Sequence, residues 1–276
     1  MYNSLRMIIV SFNINGIRAR EHQLLAIKEK YNPDIIALQE IKVSDEDFPP
    51  QIPESLGYKY FNYGQKGFHG VAIFSKTEPA NVFKGLNGGD DEVQKRYIQC
   101  DFQTSDGVLS LCNSYFPQGE NRKHPDKFPY KDRYYKRITK HIANLDTNIV
   151  LTGDFNIAPH RNDIGMNEDG IKRWLREGHT AFLPEEIEWY KMLTDLGLHD
   201  FWRENNPDST KCSWFDYRSR GFDQDPKRGL RIDHFLISKQ LEEAYLGSDI
   251  DHELRAMEKP SDHCPVVLDL ELELVS

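Results

Sequence analysis

The chain has 276 residues, 38% hydrophobic and 29% charged, with four cysteines and a net charge of −9. That composition suits a soluble globular protein with a substantial core, and the acidic total argues against a general polyanion binder. No apolar run reaches the roughly 18 residues of a membrane span, no signal-peptide region opens the chain, and cysteines without a CxxC pair point to a reduced, cytoplasmic setting.

Met1–Arg6 reads as a short extension ahead of the first strand, Met7–Ile14, which is rich in Ile and Val. Arg20–Lys30 carries a helical apolar pattern, Pro33 ends it, and Asp34–Gln39 resumes as a strand. Gly70–Ser75, Arg96–Phe102 and Val108–Ser114 read as further strands, with Asn87–Asp91 as a loop. Tyr130–Leu145 predicts a helix with Tyr134, Ile138, Ile142 and Leu145 on one face. Asn148–Gly153 is a predicted strand and Pro159–Asp169 a loop. Pro184 starts a helix through Leu196 that Gly197 stops. Arg231–Ser238 and Pro265–Leu272 are late strands. Strands outnumber helices and several follow one another directly. That pattern predicts mixed sheets packed face to face with helices outside, in one domain over residues 1–276.

Charge is uneven along this frame. Pro117–His141 holds eight Lys or Arg against three acids, and Leu241 to the end holds ten acids against two bases. A local basic face on an acidic molecule is one reading of the first run, and a solvated helix face is the other.

Chemistry concentrates where strands end. Asn13, Glu40, Asp154, Asn156 and Asp262 are short oxygen donors at such positions, the ligand type a hard divalent cation prefers. Taken singly, each also suits a cap or a turn. Asp154 and Asn156 together can project from one face of an extended segment. His263 adjoins Asp262, and Asp233 follows the run Leu230–Ile232; a carboxylate-held imidazole can carry positive charge beside an anion. His69, His124, His141, His179, His199 and His252 have no comparable setting and read as surface or packing residues. Cys264, though next to His263, reads as a buried apolar thiol. There is no nucleophile elbow, no nucleotide-binding glycine loop and no zinc spacing. The aromatic and basic stretch Cys212–Phe222 suits either stacking on bases and sugars or packing on the core.

These segments together resemble the bacterial exonuclease III family of apurinic/apyrimidinic endonucleases. The match runs in order from Met7 to about Leu272 through SFNINGIRAR (11–20), LQE (38–40), GQKG (64–67), YFPQGE (115–120), GDFN (153–156), SWFDYRS (213–219), GLRID (229–233) and KPSDH (259–263). Ser-Asp-His alone would mark only the wider endonuclease/exonuclease/phosphatase superfamily. The resemblance implies an α/β fold, a four-layer sandwich with two mixed β-sheets inside and helices outside. It implies Mg²⁺- or Mn²⁺-dependent hydrolysis of DNA phosphodiesters by a monomer, with no membrane partner. The substrate would be double-stranded DNA with abasic sites or blocked 3′ ends. Carried over by position, Glu40 is the main metal ligand, supported by Asn13, Asp262 and the Asp154, Asn156 and His263 side chains around it. Asp154 orients or deprotonates the attacking water and Asn156 helps hold it. His263, held by Asp233, binds the scissile phosphate, and Tyr115 stabilises developing charge. Trp214, Leu230 and Ile232 form the sugar pocket, and Arg96, Gln118, Arg122 and Arg218 join the DNA contacts. Two departures stand out: Ile41 where close relatives carry Thr, and the loop Pro159–Asp163. A phosphatase acting on a lipid headgroup and a catalytically dead DNA-damage binder are the rival expectations.

Overall fold

The computed structural model describes residues 6–86 and 94–275; the loop expected at Asn87–Asp91 lies outside them. In chain order the strands are β1 (Met7–Asn13), β2 (Ile35–Gln39), β3 (Lys59–Tyr63), β4 (Val71–Ser75), β5 (Asn81–Lys84), β6 (Tyr97–Thr104), β7 (Gly107–Tyr115), β8 (Asn148–Asp154), β9 (Leu198–His199), β10 (Asp233–Ser238), β11 (Tyr245–Ile250) and β12 (Val266–Leu270). The helices are α1 (Glu21–Tyr31), α2 (Gln51–Ser55), α3 (Lys127–Ile142), α4 (Glu168–Glu177), α5 (Pro184–Thr194), α6 (Phe201–Asn205) and α7 (His252–Arg255).

Strands β11-β12-β1-β2-β4-β3 form one six-stranded sheet and β5-β6-β7-β8-β10-β9 the other. Among the described residues only the pairs β1/β2 and β7/β8 are parallel, so both sheets are mixed. Alternation along each strand sorts its side chains into layers. Ile9 of β1 and Val150 of β8 enter the core between the sheets, with Ile35, Ile73, Leu111 and Phe235. Their neighbours Val10 and Leu151 point the other way. Val10 joins Leu24 and Ile27 of α1, and Leu151 joins Tyr134 and Ile138 of α3 with Leu193 of α5. The result is the expected four-layer α/β sandwich. A fourth, small apolar cluster of Ile164, Phe182, Leu230 and Ile232 sits apart, covered by Ile171, Trp174 and Leu175 of α4.

The register explains where the site forms. Asn13 pairs with Gln39 across the parallel pair β1/β2, and Tyr115 pairs with Asp154 across β7/β8. Antiparallel β10 begins opposite, with Asp233 beside Asp154. Five strand ends therefore meet at one rim of the sandwich. Behind that rim a buried polar clamp joins the sheets: Gln39 Nε2 donates to Asn113 Oδ1 at 2.7 Å, and Asn113 Nδ2 donates to the carbonyls of Leu38 and Ala72.

Several boundaries differ from expectation. The helix expected at Tyr130–Leu145 starts at Lys127, because Pro129 is tolerated in a first turn, and ends at Ile142. The loop expected at Pro159–Asp169 contains a 3₁₀ turn at Arg161–Asp163 and gives way to α4 at Glu168. Strands β3, β5 and β11 were not expected. They carry polar or half-exposed residues at sheet edges, where the apolar signature of a buried strand is weak.

Candidate active site

Glu40, Asp154 and His263 each place one ligand atom within 4.8 Å of the others. Asn13 locks two of them, its Nδ2 donating to Glu40 Oε1 and to Asp154 Oδ2, both at 3.0 Å. Glu40 leaves β2 with φ 50°, a left-handed conformation costly for a residue with a Cβ and characteristic of functional sites. Asn15, Lys42, His69 and Asn156 share that conformation around the same rim. Gly153, just before Asp154, permits the closest backbone approach in this region, since a Cβ there would meet Ser114 O at 1.9 Å.

Electrostatics differ sharply among the three groups. Burial disfavours the Glu40 charge, but Lys42, 2.9 Å away, and the Asn13 amide outweigh it and hold the carboxyl below its usual range. Burial pushes Asp154 up to about 7, reinforced by Asp233 and Glu40 and opposed by His263. Burial opposes the His263 charge, yet Asp233 and Asp154 raise its imidazole to about 10. Its Nδ1 donates to Asp233 Oδ2 at 2.9 Å, and Nε2 lies 3.7 Å from Asp154 Oδ2. Asp233 is itself held by the Ser213 hydroxyl at 2.6 Å. The cluster thus combines one ionised carboxylate, one carboxylate ready to take a proton near neutrality, and one imidazolium.

Other expected site residues fall around this centre. Asn156 donates its backbone N–H to Asp154 Oδ1 at 2.9 Å and its side-chain amide to Phe116 O at 3.0 Å. Burial and the Glu40 carboxylate beside it push the Tyr115 phenol well above its ordinary value. Asp262 stands back from the three-residue cluster: Asn15 Nδ2 and Trp214 Nε1 donate to its two oxygens at 2.8 and 3.0 Å. Trp214 and Leu230 exchange reciprocal backbone hydrogen bonds, and with Ile232 they share the small apolar cluster. Trp214 also bridges to His263, so this apolar wall adjoins the polar centre directly.

The residues expected on the DNA side divide into buried and exposed. Arg96 is buried, with its guanidinium 4.6 Å from the Tyr115 ring centroid and Nη1 donating to Tyr115 O. It is placed as a support for Tyr115. Gln118 and Arg218 are exposed on loops, and Arg122 is exposed but paired with Glu185. Lys127 is likewise paired with Glu120, so part of the basic run Pro117–His141 is neutralised locally. A cleft of about 1450 Å³ is lined by Lys172, Arg173 and Arg176 of α4 with Lys211, Lys227 and Arg228, bases that outnumber the Asp169, Asp208 and Asp225 carboxylates beside them. Ile41 is fully buried beneath the Gly70 backbone, and Asp163 from the second departing segment pairs with Arg231.

Sequence reasoning gave no role to Asn15, Lys42 and Ser213, and it read His69 as a surface or packing residue, whereas the fold sets it at the rim of the site. The His69 ring lies tilted at 41°, 5.7 Å from the Tyr115 ring centroid, and accepts from Arg96 Nη2 at 3.4 Å. Burial and Arg96 lower its imidazole to about 4, which keeps it neutral. The signal available was adjacency: Asn15 and Lys42 lie two residues from Asn13 and Glu40 in turns that fold back on the same rim.

Comparison with known proteins agrees with this geometry. Residues 10–263 match the Endonuclease/Exonuclease/phosphatase family. The chain is 50% identical over 264 residues to exodeoxyribonuclease III of Haemophilus influenzae, covering 94% of this chain and 98% of that protein. An AP endonuclease from Archaeoglobus fulgidus superposes with a TM-score of 0.86 at 31% identity, covering 95% of this chain and 98% of that one. A 3′ phosphatase from Neisseria, solved with its product DNA hairpin, superposes with a TM-score of 0.85 at 33% identity, covering 98% and 100%. The match spans the strand ends that carry Asn13, Glu40, Asp154 and His263, and with it this chain belongs to the endonuclease/exonuclease/phosphatase family.

Proposed function

We propose that this protein is a metal-dependent DNA-repair nuclease that cuts the phosphodiester 5′ to an abasic site, leaving a 3′-hydroxyl and a 5′-deoxyribose phosphate. It also clears blocked 3′ ends and degrades duplex DNA from 3′ to 5′. The observation that carries the reading is the contact between the Glu40–Asp154–His263 cluster and the apolar wall of Trp214, Leu230 and Ile232. Relatives named as an exodeoxyribonuclease, an AP endonuclease and a 3′ phosphatase support each activity in turn.

The donor set fits a hard divalent cation such as Mg²⁺ or Mn²⁺, since carboxylate oxygens dominate and Glu40 is held ionised. Glu40 is the principal ligand, supported by Asn13 and, at the margin, Asp262. The bound ion supplies Lewis-acid stabilisation of charge on the phosphoryl oxygens. His263, fixed by Asp233, presents a second positive charge to those oxygens without reorganising. Asp154 accepts the proton of the attacking water, with Asn156 beside it. Tyr115, supported by Arg96 and His69, donates its hydroxyl toward the charge that develops. Gln118, Arg218 and the basic cleft behind α4 take the phosphates of the flanking duplex, which reconciles DNA binding with an acidic total charge. The protein acts as a monomer in the cytoplasm. Among the described residues no helix is long and apolar enough to cross a membrane.

Initial rates on three labelled duplexes, with an abasic site, a 3′-phosphate and no lesion, test the reading. The abasic duplex should be cut at least about tenfold faster than the undamaged one, because an unstacked sugar is cheaper to extrude than a paired nucleotide. Equal rates on the two would remove abasic-site selection.

Trp214→Ala should lower abasic cleavage by about 10- to 100-fold, the loss of roughly 1.5–3 kcal/mol of apolar contact with the sugar. Preference over undamaged duplex should fall with it. Because Trp214 also donates to Asp262, Trp214→Phe separates the two roles. The Phe variant should keep the preference if the ring face selects the sugar. Wild-type rate and preference in Trp214→Ala would reduce Trp214 to a packing residue.

A further inference from the structure

Lys131 is an anomaly within α3. Its neighbours on the buried face are Tyr134, Tyr135 and Ile138, yet its ammonium is fully buried among them. A buried ion pair is seldom more stabilising than apolar residues of the same volume, so packing alone gives no reason for it. Its bonds do. Nζ donates to Glu186 Oε1 at 2.6 Å, to Asn156 O at 2.8 Å and to Gln118 O at 3.3 Å, which uses all three donors. Glu186, also fully buried, accepts on its other oxygen from the backbone N–H groups of Ala181 and Leu183 at 2.7 and 2.9 Å. The next turn of α3 adds to the same frame. Tyr135 donates to Phe155 O at 2.5 Å, and the Tyr134 and Ser114 hydroxyls meet at 2.8 Å.

We propose that Lys131 is a positioning residue for the nuclease site: its buried ammonium ties the loop after β8 to the loop after β7 and, through Glu186, to the Ala181–Leu183 turn. The inference rests on the functional reading above, because the tied loops carry Asn156 and Gln118 and the first of them begins directly after Asp154. Asn156 shows why a tie is needed. Its φ of 53° is left-handed, and in that conformation its carbonyl turns inward to Lys131 while its N–H faces Asp154. Without a donor, that carbonyl would be buried and unpaired, and the loop would relax toward a less strained backbone. Asp154 would then lose a fixed hydrogen bond. Gly119 completes the fit, since a Cβ there would lie 3.0 Å from the Lys131 Cδ. The Ala181–Leu183 turn contributes Ala181 and Phe182 to the apolar cluster behind Trp214, so one ammonium registers both halves of the site.

The double variant Lys131→Met/Glu186→Gln tests this without leaving a lone buried charge. The amide oxygen introduced in place of the Glu186 carboxylate can still accept from the Ala181–Leu183 turn, but the two carbonyls lose their donor. Melting temperature, kcat and KM on an abasic duplex should be measured for it, for Glu186→Gln alone and for the wild type. The double variant should stay folded with kcat about 10- to 100-fold lower and KM within about twofold, the pattern of a misplaced reacting group. Glu186→Gln, which keeps an amine on both carbonyls, should lose less than about fivefold in kcat. Wild-type kcat in the folded double variant overturns the inference, as does an equal loss of kcat in both variants at equal melting temperature. Should the double variant not fold, Lys131→Arg is read in its place. A guanidinium cannot sit beside the Gly119 backbone without moving the carbonyls, so kcat should fall at least about threefold at unchanged KM, and wild-type kcat overturns the inference. Failure of the wild type to cut the duplex would instead sink the functional reading.

Discussion

Asp154→Asn is expected to slow cleavage of an abasic duplex by about 10²- to 10⁴-fold, the range over which a positioned proton acceptor contributes. Affinity for the duplex should change little. The substitution is isosteric and the β7/β8 register stays in place; the amide oxygen can keep the Asn156 N–H bond, while the bond from Asn13 is lost. The pH profile supplies the sign. Asp154 must be deprotonated to accept a proton, and burial holds its carboxyl up to about 7. Wild-type kcat should therefore rise with pH along an acidic limb and level off. A bound cation favours the carboxylate, which puts that limb at or below pH 7. In the Asn variant the limb should vanish. Equal losses of binding and rate would place Asp154 in docking or folding.

Arg231→Leu should have the largest effect on stability. Arg231 is fully buried between two carboxylates, bonded to Asp163 at 2.6 Å and to Asp200 at 2.6 Å, and its guanidinium lies over Trp202. Removing it leaves two buried carboxylates short of a partner, a cost of roughly 3–5 kcal/mol. The melting point should drop by roughly 10 °C. The pH dependence should also weaken. In the wild type, Arg231 overcomes burial and holds Asp163 and Asp200 below their usual range, so their stabilisation is full above the unfolded carboxylate pKa and is lost only as pH falls through the lower folded values. In the variant Asp163 keeps Arg203 and Asp200 keeps His234, but burial is less fully offset, so both values move up. The deficit in stability relative to the wild type should then shrink as pH falls from about 8 to about 4. Thermal melts of both proteins at the two pH values check this, and a deficit that grows toward the lower pH would contradict the assignment. Leu230 and Ile232 flank Arg231 and face the apolar cluster, so abasic cleavage should weaken alongside.

What the sequence disclosed follows burial. Strands β1, β2, β4, β8 and β10 lie in the middle of their sheets and are apolar on both faces, so their runs are unmistakable. Strand β3 reads Lys59-Tyr60-Phe61-Asn62-Tyr63 and β5 is largely exposed, and neither differs enough from a loop to be seen. Helix α4 has no buried residue. Its signals were Asn167, whose side chain caps it by accepting from Gly170 N, and Gly178 at its left-handed end. The site was legible for a similar reason. Asn13, Glu40 and Asp154 follow apolar runs directly and a parallel pair in each sheet brings them to one rim, while His263 sits just ahead of the apolar strand β12. Supports reached through tertiary folding were not legible. Lys131 lies 25 residues from Asn156 and 55 from Glu186, and nothing in a local window marks it as buried. Arg96 shows the converse. The resemblance alone put it among the DNA contacts, and the fold sets its guanidinium against Tyr115. Within Pro117–His141 the bases Arg122 and Lys127 are paired with Glu185 and Glu120, partners 63 and 7 residues away in sequence.

The most direct measurement incubates the purified chain with a duplex bearing one abasic site, titrates Mg²⁺, adds EDTA, and analyses both new ends by mass. The account predicts a single incision 5′ to the lesion, leaving a 3′-hydroxyl and a 5′-deoxyribose phosphate. Cleavage should stop in EDTA, return with excess Mg²⁺, and be largely lost in Glu40→Gln at the same Mg²⁺ concentration. Cleavage that persists in EDTA, incision on the 3′ side of the lesion, or near-normal turnover by Glu40→Gln would contradict it.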